Sequence, residues 1–99
     1  MGRSSREKPL RLAEKLKQIR TSMGLSQNGI LIRLGYRNTS INRVSISNYE
    51  LGKREPTLMV LYAYAELANV YMEVLVNDSL DLPALIPADE KSMGRKRKD

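Results

Sequence analysis

The sequence predicts an all-α domain of five short helices, and two patterns carry this prediction. Apolar residues recur at intervals of three and four along most of residues 12–76, as they do on one face of a helix. Serine, threonine or asparagine precedes several of these runs, and glycine or asparagine follows them, as at helix starts and ends. A chain of 99 residues has room for one modest core, so the helices are expected to form a single domain.

Helices one and two have the clearest boundaries. Helix one is expected to open at Pro9, whose missing N–H suits a first helical turn, and to end before a left-handed cap at Gly24. Helix two is expected to begin after the N-cap Ser26 and to end at Gly35. The apolar faces of the two helices are formed by Leu12, Leu16, Ile19, Met23, Ile30, Leu31 and Leu34.

Helix three is expected at about residues 42–51, after a polar loop at residues 36–41. Asn42 is its expected N-cap, and Gly52 lies just beyond its end. Residues 44–46 have some strand propensity, but nothing nearby would pair with them. The core-facing residues of helix three are Ile46 and Tyr49.

Two further helices are expected after Pro56 and Thr57. A short fifth helix should lie between Val70 and Val76. The core-facing residues of helix four are expected to be Leu58, Leu61, Tyr62, Ala65 and Ala68. Tyrosines can stack on the bases of single-stranded nucleic acid, but core packing is the expected role of Tyr49, Tyr62 and Tyr71.

The composition excludes several classes of protein. There is no cysteine and no histidine, which excludes zinc fingers, disulfide frameworks, thiol nucleophiles and imidazole bases. The carboxylates are scattered and no histidine is present to activate a serine, so we expect neither an enzyme nor a cofactor or metal site. The longest apolar run, residues 58–65, is too short to span a bilayer, and the N-terminus lacks the apolar part of a signal peptide. We therefore expect a cytoplasmic protein.

The net charge of +6 is distributed very unevenly. Residues 1–56 contain twelve Lys/Arg and four Asp/Glu, a charge of +8. Residues 57–90 contain six acids and no bases, and residues 91–99 contain five bases and one acid, which gives −6 and +4. Each cation taken alone is explained by a solvated surface, but segregation of this kind steers a polyanion toward one side of the protein.

The two ends of the chain differ from its middle. Residues 1–8 have nothing apolar to bury after Met1 and are expected to form a flexible basic arm. Residues 9–77 are expected to form the folded domain. Residues 78–99 are acidic with prolines and then basic, a composition that predicts disorder.

Several short motifs occur in an order and spacing that are informative together. They are Ile19-Arg20, Gly24-Leu25-Ser26-Gln27, Leu34-Gly35, Ile46-Ser47-Asn48-Tyr49-Glu50, Gly52-Lys53 and Pro56. This set resembles the phage-repressor family of helix-turn-helix proteins, of the Cro/CI or Xre type, over roughly residues 10–77. The resemblance implies a compact five-helix lambda-repressor-like DNA-binding domain in which helices two and three read DNA. The turn between those two helices is elongated here, and Leu31 stands where the family usually has alanine.

The resemblance also implies roles for individual residues in a DNA complex. The positions that match base contacts are Arg43, Val44, Ser47 and Asn48. Their chemistry is suitable, because arginine pairs with guanine, asparagine with adenine, and valine contacts the thymine methyl group. A phosphate contact for the arginine and a solvated amide for the asparagine are the alternatives.

Other matched positions hold or support the DNA. The positions that match phosphate contacts are Gln27, Lys53 and Arg54. Solvated surface residues are the alternative for these three. The positions that match a structural ion pair between helices one and three are Arg20 and Glu50.

We therefore expect a sequence-specific regulator of transcription that binds double-stranded DNA and is a homodimer at least on DNA. The alternative is an antitoxin-type protein-interaction module that binds a protein partner through residues 70–90 and represses its own operon. RNA binding is a third possibility.

Overall fold

Five helices and two very short strands make up the computed structural model, which describes residues 8–36 and 40–98. The helices are α1 (Leu12–Ser22), α2 (Gln27–Leu34), α3 (Arg43–Glu50), α4 (Leu58–Ala68) and α5 (Met72–Val76). The strands are β1 (Leu80–Asp81) and β2 (Arg95–Lys96), which pair antiparallel. The predicted all-α class is confirmed. Within the described residues, no helix has both the length and the apolar character that crossing a membrane requires.

Polar caps are found at the starts of α2, where Ser26 was predicted, and of α4, where Thr57 takes this role. The Ser26 hydroxyl accepts a hydrogen bond of 2.9 Å from the Gly29 N–H, and the Thr57 hydroxyl accepts one of 3.3 Å from the Val60 N–H. Gly35 ends α2 in the left-handed conformation. Each cap satisfies a backbone N–H that would otherwise lack a partner in the first turn of its helix.

The start of α1 differs from its prediction. The helix begins at Leu12 and not at Pro9. The backbone N–H groups of Leu10 and Arg11 instead donate to the carboxylate of Asp78, at 2.9 to 3.1 Å. An anion from the far end of the domain therefore satisfies the donors that precede α1 and lies at the positive end of its dipole.

The hydrophobic core joins all five helices. The residues with no exposed surface include Leu16, Ile19, Ile30, Ile46, Tyr64 and Val74. Tyr49 is buried as predicted, but the prediction for two other tyrosines was wrong, because Tyr62 and Tyr71 are 46% and 45% exposed. The residues of α4 itself are apolar around most of the helix, so helical spacing alone is consistent with more than one buried face. Packing against α2 and α5 selects the face that contains Val60, Leu61, Tyr64, Ala65 and Ala68. The core prediction was therefore also wrong for Leu58, which is 69% exposed.

Residues 78–98 fold against the helices, which corrects the expectation of a disordered segment. Leu82 and Ile86 are buried in the core, at 1% and 8% exposure. The apolar residues of this segment do not form a helical or strand pattern along the sequence, so their burial was not predicted. Residue 99 and the arm residues 1–7 lie outside the described residues.

The end of α4 provides the main attachment for this C-terminal segment. Asn69 adopts the left-handed conformation and donates from its side-chain amide to the Ala88 carbonyl at 2.7 Å. The Ser92 N–H donates to the Asn69 carbonyl, and the Tyr71 N–H donates to the Ser92 carbonyl, both at 3.0 Å. Backbone groups of the residues that follow α4 are thus paired with the C-terminal segment.

A second attachment involves two cations of α1. Lys15 is almost completely buried, and its ammonium donates to the carbonyls of Val74 and Asn77 at 2.8 and 3.0 Å. Burial lowers the pKa of Lys15, because the charged form is poorly solvated there. Arg11 donates to the Asp78 carbonyl at 3.1 Å and forms an ion pair with Asp81. Together these contacts hold the start of α1 against the end of α5 and β1.

We predict that acid weakens this attachment. Hydrogen bonds from the Leu10 N–H lower the pKa of Asp78, and the hydrogen bond from Arg11 lowers the pKa of Asp81. Both pKa values lie below the ordinary value of about 3.9, so the folded state binds fewer protons than the unfolded state in that range. Their stabilisation is complete above about pH 4 and is lost as pH falls through the folded pKa values.

The measurement is urea unfolding of wild type and of an Asp78→Asn variant between pH 6 and pH 2. The variant should be less stable at pH 6 and should lose less stability on acidification than wild type. Asp89→Asn is the control, because Asp89 is exposed and forms no hydrogen bond within the described residues. Parallel pH profiles for wild type and Asp78→Asn would contradict the prediction.

We also predict that the C-terminal segment depends on Gly94. This residue has a φ of +74°, and a Cβ there would collide with the Asp81 carbonyl and press on the Val74 side chain. Gly24 has a similar φ of +68°, but a Cβ there would have nothing within 4 Å. Gly24→Ala should therefore cost about 1–2 kcal/mol from left-handed strain alone, and Gly94→Ala should cost clearly more. Equal losses in urea unfolding would show that the segment is not tightly packed.

Candidate nucleic-acid interface

The start of α3 is fixed by a reciprocal pair of caps. Asn42 Oδ1 accepts hydrogen bonds from the N–H groups of Val44 and Ser45, at 2.9 and 3.1 Å. The Ser45 hydroxyl in turn accepts from the Asn42 N–H at 3.2 Å. This capping box holds the first turn of α3 in place after the elongated turn, residues 35–42, of which 37–39 lie outside the described residues.

The outward face of α3 carries all four residues for which base contact was predicted. Arg43 and Val44 are exposed, and Ser47 and Asn48 are half-buried. Ile46 and Tyr49 point inward to the core, as predicted. These four residues, at steps of one and four along the helix, therefore line a single, mainly polar face that includes the aliphatic Val44.

One residue on this face was missed. Leu51, at the C-terminal end of α3, is 62% exposed. It follows Val44 by seven positions, so the helical spacing that placed the other residues also placed Leu51 on this face. The signal was present in the sequence, but an apolar residue before a helix-ending glycine was not considered as a surface residue.

Gly52 follows the end of α3 and precedes two cations, Lys53 and Arg54. Its φ is +75°, and its N–H donates to the Tyr49 carbonyl at 3.2 Å. The Lys53 N–H donates to the Asn48 carbonyl at 3.0 Å, which completes a Schellman motif. Lys53 and Arg54 are exposed immediately beyond the helix, and within the described residues neither side chain has an ion-pair or hydrogen-bond partner.

Arg20 and Glu50 form a two-pronged ion pair between α1 and α3. Arg20 Nε lies 2.6 Å from Glu50 Oε2, and Arg20 Nη2 lies 2.9 Å from Glu50 Oε1. The Glu50 side chain is 4% exposed and the Arg20 side chain 15%. The hydrogen bonds from the guanidinium to this carboxylate raise the pKa of Arg20. Arg20 also donates to the Leu25 carbonyl at 2.9 Å, so the pair joins α3 to the turn before α2.

Gln27 takes part in the same cluster. Its side-chain amide donates to Glu50 Oε1 at 3.4 Å, and the residue is half-buried at the first position of α2. The structure therefore places Gln27 beside the ion pair that supports α3. A phosphate contact by its remaining N–H stays a prediction.

Tyr64 lies behind this cluster and was missed in the sequence. It is fully buried, and its hydroxyl has no hydrogen-bond partner within the described residues. Burial, with a smaller contribution from the negative charge of Glu50, raises the pKa of Tyr64. The phenol ring fills the core under the Arg20–Glu50 pair and remains neutral at any physiological pH.

We predict that loss of the pair destabilises the fold far more than loss of a surface pair. Glu50→Ala should lower the free energy of unfolding by about 3 kcal/mol or more, because the partly buried Arg20 cation loses its partner. Glu66→Ala removes the exposed Lys91–Glu66 pair, whose side chains are 42% and 48% exposed, and should lower the free energy of unfolding only slightly, because water screens both charges. Thermal melts of the two variants test the difference. Equal, small decreases in Tm for the two variants would contradict a stabilising role for the Arg20–Glu50 pair.

Comparison with known protein families agrees with this arrangement. A family model described as helix-turn-helix matches residues 16–75. The match includes both members of the ion pair and the whole of α2 and α3. No curated protein and no solved structure is significantly similar to the chain. Since the family match covers more than half of the chain, the protein belongs to the Cro/CI-type helix-turn-helix family of DNA-binding regulators.

Proposed function

We propose that the protein regulates transcription in the cytoplasm by binding a specific DNA sequence, with α3 in the major groove, and that it has no enzymatic activity. The observation that carries the proposal is the outward face of α3, formed by Arg43, Val44, Ser47 and Asn48. This face combines a guanidinium, an amide and an aliphatic side chain, which are the groups that distinguish guanine, adenine and thymine edges. Within α3 the only acid is Glu50, and it faces inward toward Arg20.

The charge around α3 supports a polyanionic partner. Lys53 and Arg54 are exposed just after the helix, and Lys8 lines the same cleft of about 350 Å³. We assign Lys53 and Arg54 to phosphates on one side of the groove. Contacts of this kind position the protein on the duplex but do not read its sequence.

A homodimer on DNA is part of the proposal. One helix of eight residues reaches only a few base pairs, so two copies are needed for useful specificity. The turn between α3 and α4 is flanked by aliphatic residues that remain on the surface, since Leu51, Leu58 and Met59 are 62%, 69% and 62% exposed. We expect half-sites about one helical turn apart, roughly 34 Å centre to centre.

The antitoxin alternative has weaker support. It required residues 70–90 to be available for a protein partner. Leu82 and Ile86 of that segment are buried in the core of this domain, and the Asn69 side chain donates a hydrogen bond to the Ala88 carbonyl. A second chain that copurifies stoichiometrically, and that displaces this segment, would favour the alternative.

The test begins with selection of a binding site from a random duplex library. Asn48→Ala and Arg43→Ala should each lose about 1–3 kcal/mol on the selected duplex and relax the preference at one position, because each removes a base contact. Lys53→Ala and Arg54→Ala should weaken binding to selected and scrambled duplexes alike. Each of these two should also reduce the slope of log Kd against log[salt] by about 0.9.

The control is Gln18→Ala, which removes an exposed amide from α1 and should leave both affinities unchanged. The proposal predicts a palindromic selected site. If Asn48→Ala and Arg43→Ala lose affinity equally on the selected and scrambled duplexes, α3 is not the reading element.

A further inference from the structure

Four consecutive cations, residues 95–98, lie at the end of the described chain, and the first two of them form β2. Lys96 pairs with Leu80 of β1, and the Arg97 N–H donates to the Ser79 carbonyl at 2.8 Å. Arg95 Nε donates to the Leu82 carbonyl at 3.0 Å. The backbone is therefore held in place, while all four residues remain exposed.

The last three of these cations have no acidic partner in the part of the chain that the structure describes. Within the described residues, the side chains of Lys96, Arg97 and Lys98 form no ion pair and no hydrogen bond. Of the two acids of the adjoining segment, Asp81 forms an ion pair with Arg11, and the Asp78 carboxylate accepts hydrogen bonds from the backbone at the start of α1, so neither forms an ion pair with Lys96, Arg97 or Lys98 within the described residues. An ordered group of uncompensated cations is a surface that attracts a polyanion.

This surface is continuous with the cations beyond α3. Lys8 lines the cleft that also contains Lys53 and Arg54. Lys8 also lines a groove with Asp78 and Ser79, and these two residues form a third groove with Lys96 and Arg97. The three depressions share walls, so they form one path from the end of α3 to β2, which we call the basic track.

We propose that the basic track binds the phosphodiester backbone of duplex DNA outside the half-site read by α3, with Lys96 and Arg97 as the outer phosphate contacts. The proposal rests on the DNA-binding function proposed above and extends the interface to the C-terminal strand. A duplex is a suitable occupant because the three depressions are lined by more cations (Lys8, Lys53, Arg54, Lys96 and Arg97) than acids (Glu55 and Asp78), and a phosphodiester backbone can contact several cations in succession. An acidic protein partner is less suitable, since residues 95–98 include no apolar side chain to anchor a protein interface.

The ordered strand gives these contacts an advantage over a flexible tail. The backbone of β2 is already fixed by its pairing with β1, so binding restrains only the side chains. Contacts to phosphates outside the half-site add affinity for any flanking sequence. They also raise the dependence of binding on salt by about 0.9 per phosphate in the slope of log Kd against log[salt].

The experiment uses the full chain with two lengths of duplex. One duplex contains only the two selected half-sites, and the other is extended by about one helical turn at each end. Both are made with a selected and with a scrambled core. Wild type, Lys96→Gln/Arg97→Gln and the control Lys17→Gln are titrated at several salt concentrations. Lys17 is an exposed cation of α1 that lines none of the three depressions.

Wild type and Lys17→Gln should bind the extended duplex more tightly than the short one and with a steeper salt slope. The double variant should match wild type on the short duplex, melt at the same temperature, and lose the gain from extension, with a slope smaller by about 0.9 per contact. The proposal is overturned if the double variant keeps the gain, or if it loses affinity equally on both lengths. Failure of the underlying function looks different, because wild type would then not prefer the selected core at either length.

Discussion

The orientation of α3 depends on the ion pair between Arg20 and Glu50. Both charges are largely removed from water, so each requires the other, and the bidentate geometry allows little rotation. Through Arg20 the pair connects α1 and the Leu25 carbonyl, and through Glu50 it connects the last turn of α3. The outward face of α3 is thus defined by a contact on its inward side. Gln27 adds a weaker bond from α2 to the same carboxylate.

The opposite end of α1 is held by a different set of polar contacts. Asp78 accepts from the backbone before α1, while Arg11 and Lys15 reach the end of α5 and β1. In this way α1 links α3 to the C-terminal segment. The same contacts engage Asp78 and Asp81, and within the described residues Lys96, Arg97 and Lys98 have no ion-pair partner. Stability of the C-terminal segment and its charge are therefore consequences of one arrangement.

The sequence predicted those features that are determined within one or two helical turns. Ser26 and Asn42 cap their helices as expected, because a cap and its partners are close in the chain. The cap of α1 was not predictable, since Asp78 lies 68 residues away from Leu10. The buried face of α4 was also ambiguous, because a helix that is apolar on most sides shows no preferred face until its neighbours are known.

The candidate interface likewise has one part that the sequence predicted and one part that it did not. The face of α3 follows from helical spacing, and the resemblance to a family pointed to the pair that supports it. The fold of residues 78–98 depends on contacts with α1, α4 and α5, which are distant in the sequence. The apolar residues of this segment are irregularly spaced between prolines. For this reason the basic track was visible in the sequence only as an unplaced run of charge.

The most direct measurement is of intermolecular nuclear Overhauser effects between the Val44 methyl groups and the selected duplex. Val44 lies on the outward face of α3 and is 57% exposed, so its methyl groups report whether this face enters a groove. Insertion of α3 predicts contacts from these methyl groups to major-groove protons, such as a thymine methyl or a cytosine H5. A stable complex with the selected duplex in which Val44 shows no contact to base protons would contradict the assignment of α3 as the reading helix.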